Sequence, residues 1–106
     1  MTYYLSPSAE KDIEEVASYY LSQNLSVALN FIDSVYEAME MLAANPMLGH
    51  KRADLTDRSI RVWPFKWHYL IFYTDEIPIK VVRVLSGYRD ISSLLGNVGS
   101  RFIEPV

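Results

Sequence analysis

The chain contains no cysteine in its 106 residues. Disulfide frameworks, cysteine-ligated zinc and thiol catalysis are therefore excluded, and the absence fits a cytoplasmic protein. Histidine is almost as scarce. His50 and His68 lie far apart and outside any spaced ligand motif, so no metal site is expected. Gly-x-Gly-x-x-Gly, the phosphate-binding P-loop and Gly-x-Ser-x-Gly are all missing, and no cofactor is expected. No serine sits beside a plausible base, which leaves covalent catalysis without a nucleophile. No run approaches the roughly 18 apolar residues of a membrane span. Met1–Pro7 has neither a basic stretch nor a long apolar run, so no signal peptide is expected.

Basic residues are nearly absent from one half of the chain. Residues 1–49 hold one base, Lys11, against seven acids, a net of −6, whereas residues 50–89 hold eight bases against four acids, a net of +4. The overall charge of −3 counts against a general nucleic-acid binder. The division allows a basic face for an acidic partner, or simply two solvated faces of different charge. Half of the residues are apolar and 22% are charged, an ordinary globular composition that argues against disorder. The length suits one domain, expected over residues 1–95, with 96–106 as a tail.

The pattern along the chain predicts an α+β fold. Thr2–Leu5 is a short run of strand formers. Ser6 reads as a helix N-cap and Pro7 as the first helical residue. Ala9, Ile13, Val16, Ala17 and Tyr20 then mark one face of a helix over about 7–22, with Glu10, Asp12, Glu14 and Glu15 near its positive end. Asn24 caps a second helix over 25–44, whose stripe is Ala28, Phe31, Ile32, Val35, Met39 and Leu42. It stops at Asn45-Pro46 because proline disfavours a helical residue before it. So short a link predicts an antiparallel helical hairpin.

After a loop over 46–59 the apolar period changes to two. Ile60–Lys66 is a strand whose Pro64 suggests an edge or a bulge. Trp67–Thr74 is apolar on both faces and reads as central. Ile79–Ser86 is the third β-branched run, ended by Gly87, and Asp90 would cap a short helix through Leu94-Leu95. The expected arrangement is two-layer: a β-α-α-β-β-β antiparallel sheet packed against the helical hairpin, with a short C-terminal helix.

Six aromatics fall between Trp63 and Tyr73, and a thin two-layer domain would leave some of them on an uncovered sheet face. RNA cleavage by proton transfer would need an acid, a base and cations. Arg61, Arg83 and Arg89 could supply the cations, and His50, His68, Tyr69, Tyr73 and Tyr88 are the acid–base candidates. Most of those tyrosines sit in an apolar strand and also read as core.

The motifs resemble, in order, those of the ParE-type toxins of the RelE/ParE superfamily, the toxin half of type II toxin–antitoxin pairs and plasmid-stabilisation systems. The carrying segments are Leu5–Ile13, Leu42–His50, Ile60–Phe65, Tyr69–Tyr73 and Val82–Asp90, and the likeness covers about residues 3–95. It implies the β-α-α-β-β-β fold and an antitoxin partner of the ParD kind, whose C-terminal segment folds as it wraps the toxin. Superfamily members resembling RelE cut mRNA on the ribosome with an acid–base residue near the C-terminus. Those resembling ParE lack that set and inhibit DNA gyrase. No tyrosine or histidine follows Tyr88 here, and the chain is acidic; both features favour the ParE branch. An inactive, antitoxin-binding member is the further alternative. Arg61, Arg83 and Arg89 are the expected target or antitoxin contacts, because an arginine fork suits carboxylates. Trp63 and Phe65, beside Pro64, are the expected aromatic anchors. No catalytic residue, cofactor, membrane contact or direct specific nucleic-acid contact is expected on the ParE reading.

Overall fold

A computed structural model of the chain describes residues 2–51 and 59–87. The elements are β1 (Tyr4–Leu5), α1 (Pro7–Leu21), α2 (Leu25–Ala44), β2 (His50–Lys51), β3 (Ile60–Phe65), β4 (Tyr69–Thr74) and β5 (Lys80–Ser86). The sheet order is β1-β5-β4-β3-β2. The neighbours from β2 to β5 pair antiparallel, and β1 adds to β5 in parallel, making the sheet mixed. The parallel pairing follows from connectivity. The helical hairpin and the meander both lie between β1 and β5, so nothing forces the two to run oppositely. The predicted helix after Asp90 and the tail fall outside the described residues.

Local chemistry sets the helix ends. The Ser6 hydroxyl accepts a hydrogen bond from the Ala9 amide at 3.0 Å and donates one to the Val82 carbonyl at 2.9 Å. One buried side chain thus starts α1 and ties it to β5. Asn24 caps α2 by accepting from the Val27 amide at 3.2 Å. Asn45 ends that helix, its own side-chain amide donating to the Met41 carbonyl.

The hairpin lies over one face of the sheet. Ala9, Ile13, Phe31, Val35, Met39 and Leu42 interdigitate with Tyr69, Ile71, Tyr73, Ile79, Val81 and Val84. Complete burial of side chains such as Phe31 and Ile71 contributes about 1.5–3 kcal/mol each. The opposite face is closed too. Ile60, Val62, Phe72, Val82 and Leu85 are each no more than 4% exposed. The expectation of an uncovered apolar sheet face is therefore corrected: exposed apolar surface lies elsewhere.

Pro64 sits where β3 has no strand neighbour on its outer side among the described residues. β2 pairs only with Arg61 and Val62, so the missing proline N–H leaves no ladder bond unmade there. The irregularity in the sheet is between β4 and β5. Phe72 faces Arg83 and Tyr73 faces Val81, so Val82 is the additional residue of a bulge.

Candidate partner-binding surface

The bulge sits beside a buried ion pair. Arg83 donates from Nε to Asp12 Oδ2 at 2.7 Å and from Nη2 to Asp12 Oδ1 at 2.9 Å. The Val84 amide also donates to Asp12 Oδ2, at 3.0 Å. Side-chain exposure is only 16% for Arg83 and 7% for Asp12. These hydrogen bonds raise the Arg83 pKa further above its ordinary value; they outweigh the opposing effect of burial, and the Asp12 and Glu15 charges add to them. Asp12 therefore does more than favour the start of α1. It clamps α1 to β5 at the point where β1 no longer covers that strand.

Arg61 belongs to a second network, across β4. Its Nε donates to Asp75 Oδ2 at 2.7 Å, and its Nη1 donates to the Gly49 carbonyl at 2.7 Å and the Met47 carbonyl at 3.4 Å. Tyr73 completes this network. Its hydroxyl donates to the Pro46 carbonyl at 2.7 Å and accepts from the Gly49 amide at 2.8 Å. Two side chains from the sheet thus fix the turn that leads from α2 into β2. Met47 and Leu48 project from that turn, 68% and 40% exposed.

Trp63 and Phe65 follow Arg61 on alternate residues of β3 and pack, half-buried, on the hairpin side of the sheet. Phe65 lies 6.0 Å from Phe31 and 6.1 Å from Tyr69, ring centre to ring centre. Both are therefore partly core and partly accessible. Arg89 and Tyr88 lie outside the described residues. Of the nominated residues, Arg61, Trp63 and Phe65 share one strand and one side, while Arg83 engages a different partner beyond β4.

Among the described residues the acid–base candidates fall into two groups, His50 with Tyr73 and His68 with Tyr69. His50 pairs with Val62, whereas His68 lies beyond Phe65, more than about 10 Å further along at roughly 3.3 Å per residue. His68 stacks on Tyr69 at 4.5 Å. The Tyr69 and Tyr20 hydroxyls share a hydrogen bond of 3.1 Å. Burial raises the Tyr69 pKa, and the Tyr20 hydrogen bond and neighbouring tyrosines raise it further. Burial likewise raises that of Tyr73, against the lowering effects of the Gly49 amide and Arg61. Each phenol keeps its proton at neutral pH and serves as a structural bond.

A model of the ParE toxin of type II toxin–antitoxin systems matches residues 3–91. The chain belongs to the ParE toxin family. A search of curated proteins finds no match.

In this ParE-family toxin one group of exposed apolar residues lies on the helices, and others lie in the turns at Met47–Leu48, Trp67 and Ile77. Leu25, Leu29 and Tyr36 are exposed, and with half-buried Ile32 they form a second stripe along α2. Leu21, at the end of α1, is also exposed. The spacing of four, three and four residues was the available signal. It is masked by the stronger stripe of Phe31, Val35, Met39 and Leu42. Asp12 had a signal as well: it falls on the buried face between Ala9 and Ile13, where a charge requires a partner. No helix of the described residues is long and apolar enough to cross a membrane.

The raised tyrosines give a pH dependence. Tyr3, Tyr69 and Tyr73 all hold their protons more tightly when folded, in each case chiefly through burial. The unfolded chain releases those protons around its ordinary value of 10.0, so alkali favours unfolding. Their contribution is whole below that pH and is lost as pH rises through the higher folded values. Melting temperature is expected to fall above pH 10, and Tyr69→Phe to fall less steeply over the same range. A Tyr69→Phe profile parallel to wild type would refute the assignment to Tyr69.

Proposed function

We propose that the protein arrests growth by inhibiting DNA gyrase and is neutralised by a ParD-like antitoxin encoded beside it. Membership of the ParE toxin family carries this reading. The Tyr69 and Tyr73 hydroxyls are both taken up in structural hydrogen bonds, which favours it over ribosome-dependent mRNA cleavage, where a free acid and base must meet one substrate. The action is that of a binding protein, in the cytoplasm, without cofactor.

Arg61, Trp63, Phe65, Arg83 and Arg89 are the proposed target or antitoxin contacts, and their roles divide. Trp63 and Phe65 offer accessible ring edges on β3. Arg61 acts through the turn it holds, presenting Met47 and Leu48 on a fixed backbone, which lowers the entropy lost on binding. Arg83 acts through the clamp on α1. The exposed stripe of Leu25, Leu29 and Tyr36 suits the apolar face of an antitoxin helix.

The test is a supercoiling assay with purified toxin and gyrase, run beside ribosome-programmed mRNA cleavage. Lost supercoiling with intact mRNA is expected, relieved by adding the antitoxin. Cut mRNA with normal supercoiling would replace the reading with a nuclease. Neither effect, with growth continuing on induction, would indicate an inactive antitoxin-binding member.

A further inference from the structure

A cleft of about 240 Å³ opens between α1 and the C-terminal half of β5. Asp12, Glu15, Tyr19, Tyr69 and Ser86 are among the residues that line it. Its electrostatics are uneven. Asp12 is neutralised by the two hydrogen bonds from Arg83, and its second oxygen is also bound by the Val84 amide. Glu15 senses the Arg83 charge but makes no hydrogen bond or ion pair with it, and it stays exposed. Among the described residues, the Glu15 carboxylate at the mouth thus has no direct cationic partner.

The remaining lining is aromatic. Tyr69 is buried and hydrogen-bonded to Tyr20, while Tyr19 is 60% exposed and packs edge-on to Tyr20 at 5.2 Å. Tyr69 is a neutral phenol and adds no second anion; the accessible ring is that of Tyr19. The same aromatic cluster already attracts a cation. Lys66 Nζ lies 5.5 Å from the centre of the Trp67 ring, and Trp67 contacts both Tyr20 and Tyr69.

We propose that this cleft receives one cationic side chain, arginine before lysine, presented by a protein partner. The Glu15 carboxylate at the mouth disfavours phosphate, so nucleic acid is not the occupant. The volume holds a single guanidinium head, whose plane stacks on a tyrosine ring while its N–H groups reach Glu15. A free small cation would gain only one exposed charge and one or two rings, which is weak. Presentation from a larger surface adds what the cleft lacks, and exposed Tyr19 offers apolar contact at its edge. The surrounding charge agrees, since the first 49 residues carry a net of −6. Only the identity of the partner, the antitoxin, rests on the function proposed above.

The test has two arms. In the first, backbone amide resonances of the purified toxin are followed by NMR during titration with N-acetyl-arginine methylamide at constant ionic strength. The uncharged, nearly isosteric N-acetyl-citrulline methylamide is the control. Saturable shifts at residues 12–19 and 84–86 are expected with arginine alone, with affinity reduced about threefold by Glu15→Gln or Tyr19→Leu. Equal shifts with citrulline, no shifts, or an unchanged Glu15→Gln titration would overturn the cleft. Both substitutions are at exposed positions, and unchanged spectra elsewhere confirm the fold. In the second arm, calorimetry measures the neighbouring antitoxin against wild type and Glu15→Lys, with a loss of about tenfold expected. An unchanged affinity would overturn the antitoxin as source of the cation. An antitoxin that ignores even wild type would overturn the toxin–antitoxin reading, while the arginine titration still decides whether the cleft binds a guanidinium.

Discussion

Asp12→Ala is expected to remove about 3–5 kcal/mol of folding stability, read as a drop in the urea midpoint with little change in slope. Three bonds end on that carboxylate: two from Arg83 and one from the Val84 amide. Alanine would strand a guanidinium that is only 16% exposed and leave a strand amide unpaired beside the β4–β5 bulge. Losing the partner of a buried charge costs more than the pair contributes net, because the remaining ion keeps its desolvation penalty. The double variant Asp12→Leu, Arg83→Met removes both charges together. It is expected to lose only about 1–3 kcal/mol, the share of the orphaned Val84 amide. A single variant within about 1 kcal/mol of wild type would show that the clamp contributes little.

The pair of variants also separates Arg83's structural role from its functional one. Arg83→Ala alone confounds the two, since a toxin that unfolds no longer inhibits anything. If wild type inhibits gyrase as proposed and the stable double variant does so equally, Arg83 serves the fold. If it stays folded and loses inhibition, the guanidinium itself contributes to the target surface.

What could be read from the sequence was whatever is decided within a few residues. Ser6 with Pro7, and Asn24, start the helices where their side chains dictate, and Asn45-Pro46 ends the second for a steric reason. The change from period 3.6 to period 2 marked the passage from helices to strands. The β1–β5 pairing, the β2 strand and the bulge are decided by contacts between distant residues. His50–Lys51 has no strong strand signal of its own; it lies against β3 because Tyr73 and Arg61 hold the preceding turn. Arg61 and Arg83 were chosen by residue type, but their partners come from 12 to 71 positions away. No local pattern shows that a guanidinium is already engaged. The Glu15–Tyr19 edge of the cleft is local to one helix turn, yet its other wall arrives from β4 and β5. Hence the surface emerged only with the fold.

The turn between α2 and β2 carries the second large effect. Gly49 and Tyr73 are expected to behave as one unit. A Cβ added at Gly49 would lie 2.6 Å from the Tyr73 hydroxyl, 2.9 Å from its ring and 3.0 Å from the Val62 carbonyl. Tyr73 is fully buried and bonded on both sides of its hydroxyl, so it has no free direction in which to yield. Gly49→Ala is therefore expected to cost about 2–3 kcal/mol, at the upper end of overpacking. Tyr73→Phe keeps the ring but leaves the Gly49 amide and the Pro46 carbonyl without their partner, at about 1–3 kcal/mol. The two losses are expected not to add. Removing the phenol oxygen eliminates the closest clash, so Gly49→Ala should cost less in the Tyr73→Phe background, by about 1 kcal/mol in a double-mutant cycle. Strict additivity would mean that the aromatic ring, which phenylalanine keeps, or the Val62 carbonyl limits the site, and not the hydroxyl. Function follows the same geometry: with its anchor cut, the Met47–Leu48 tip loses its fixed backbone. On the proposed function, Tyr73→Phe should then weaken inhibition of gyrase at temperatures where the protein remains folded, whereas unchanged inhibition would remove that tip from the target surface.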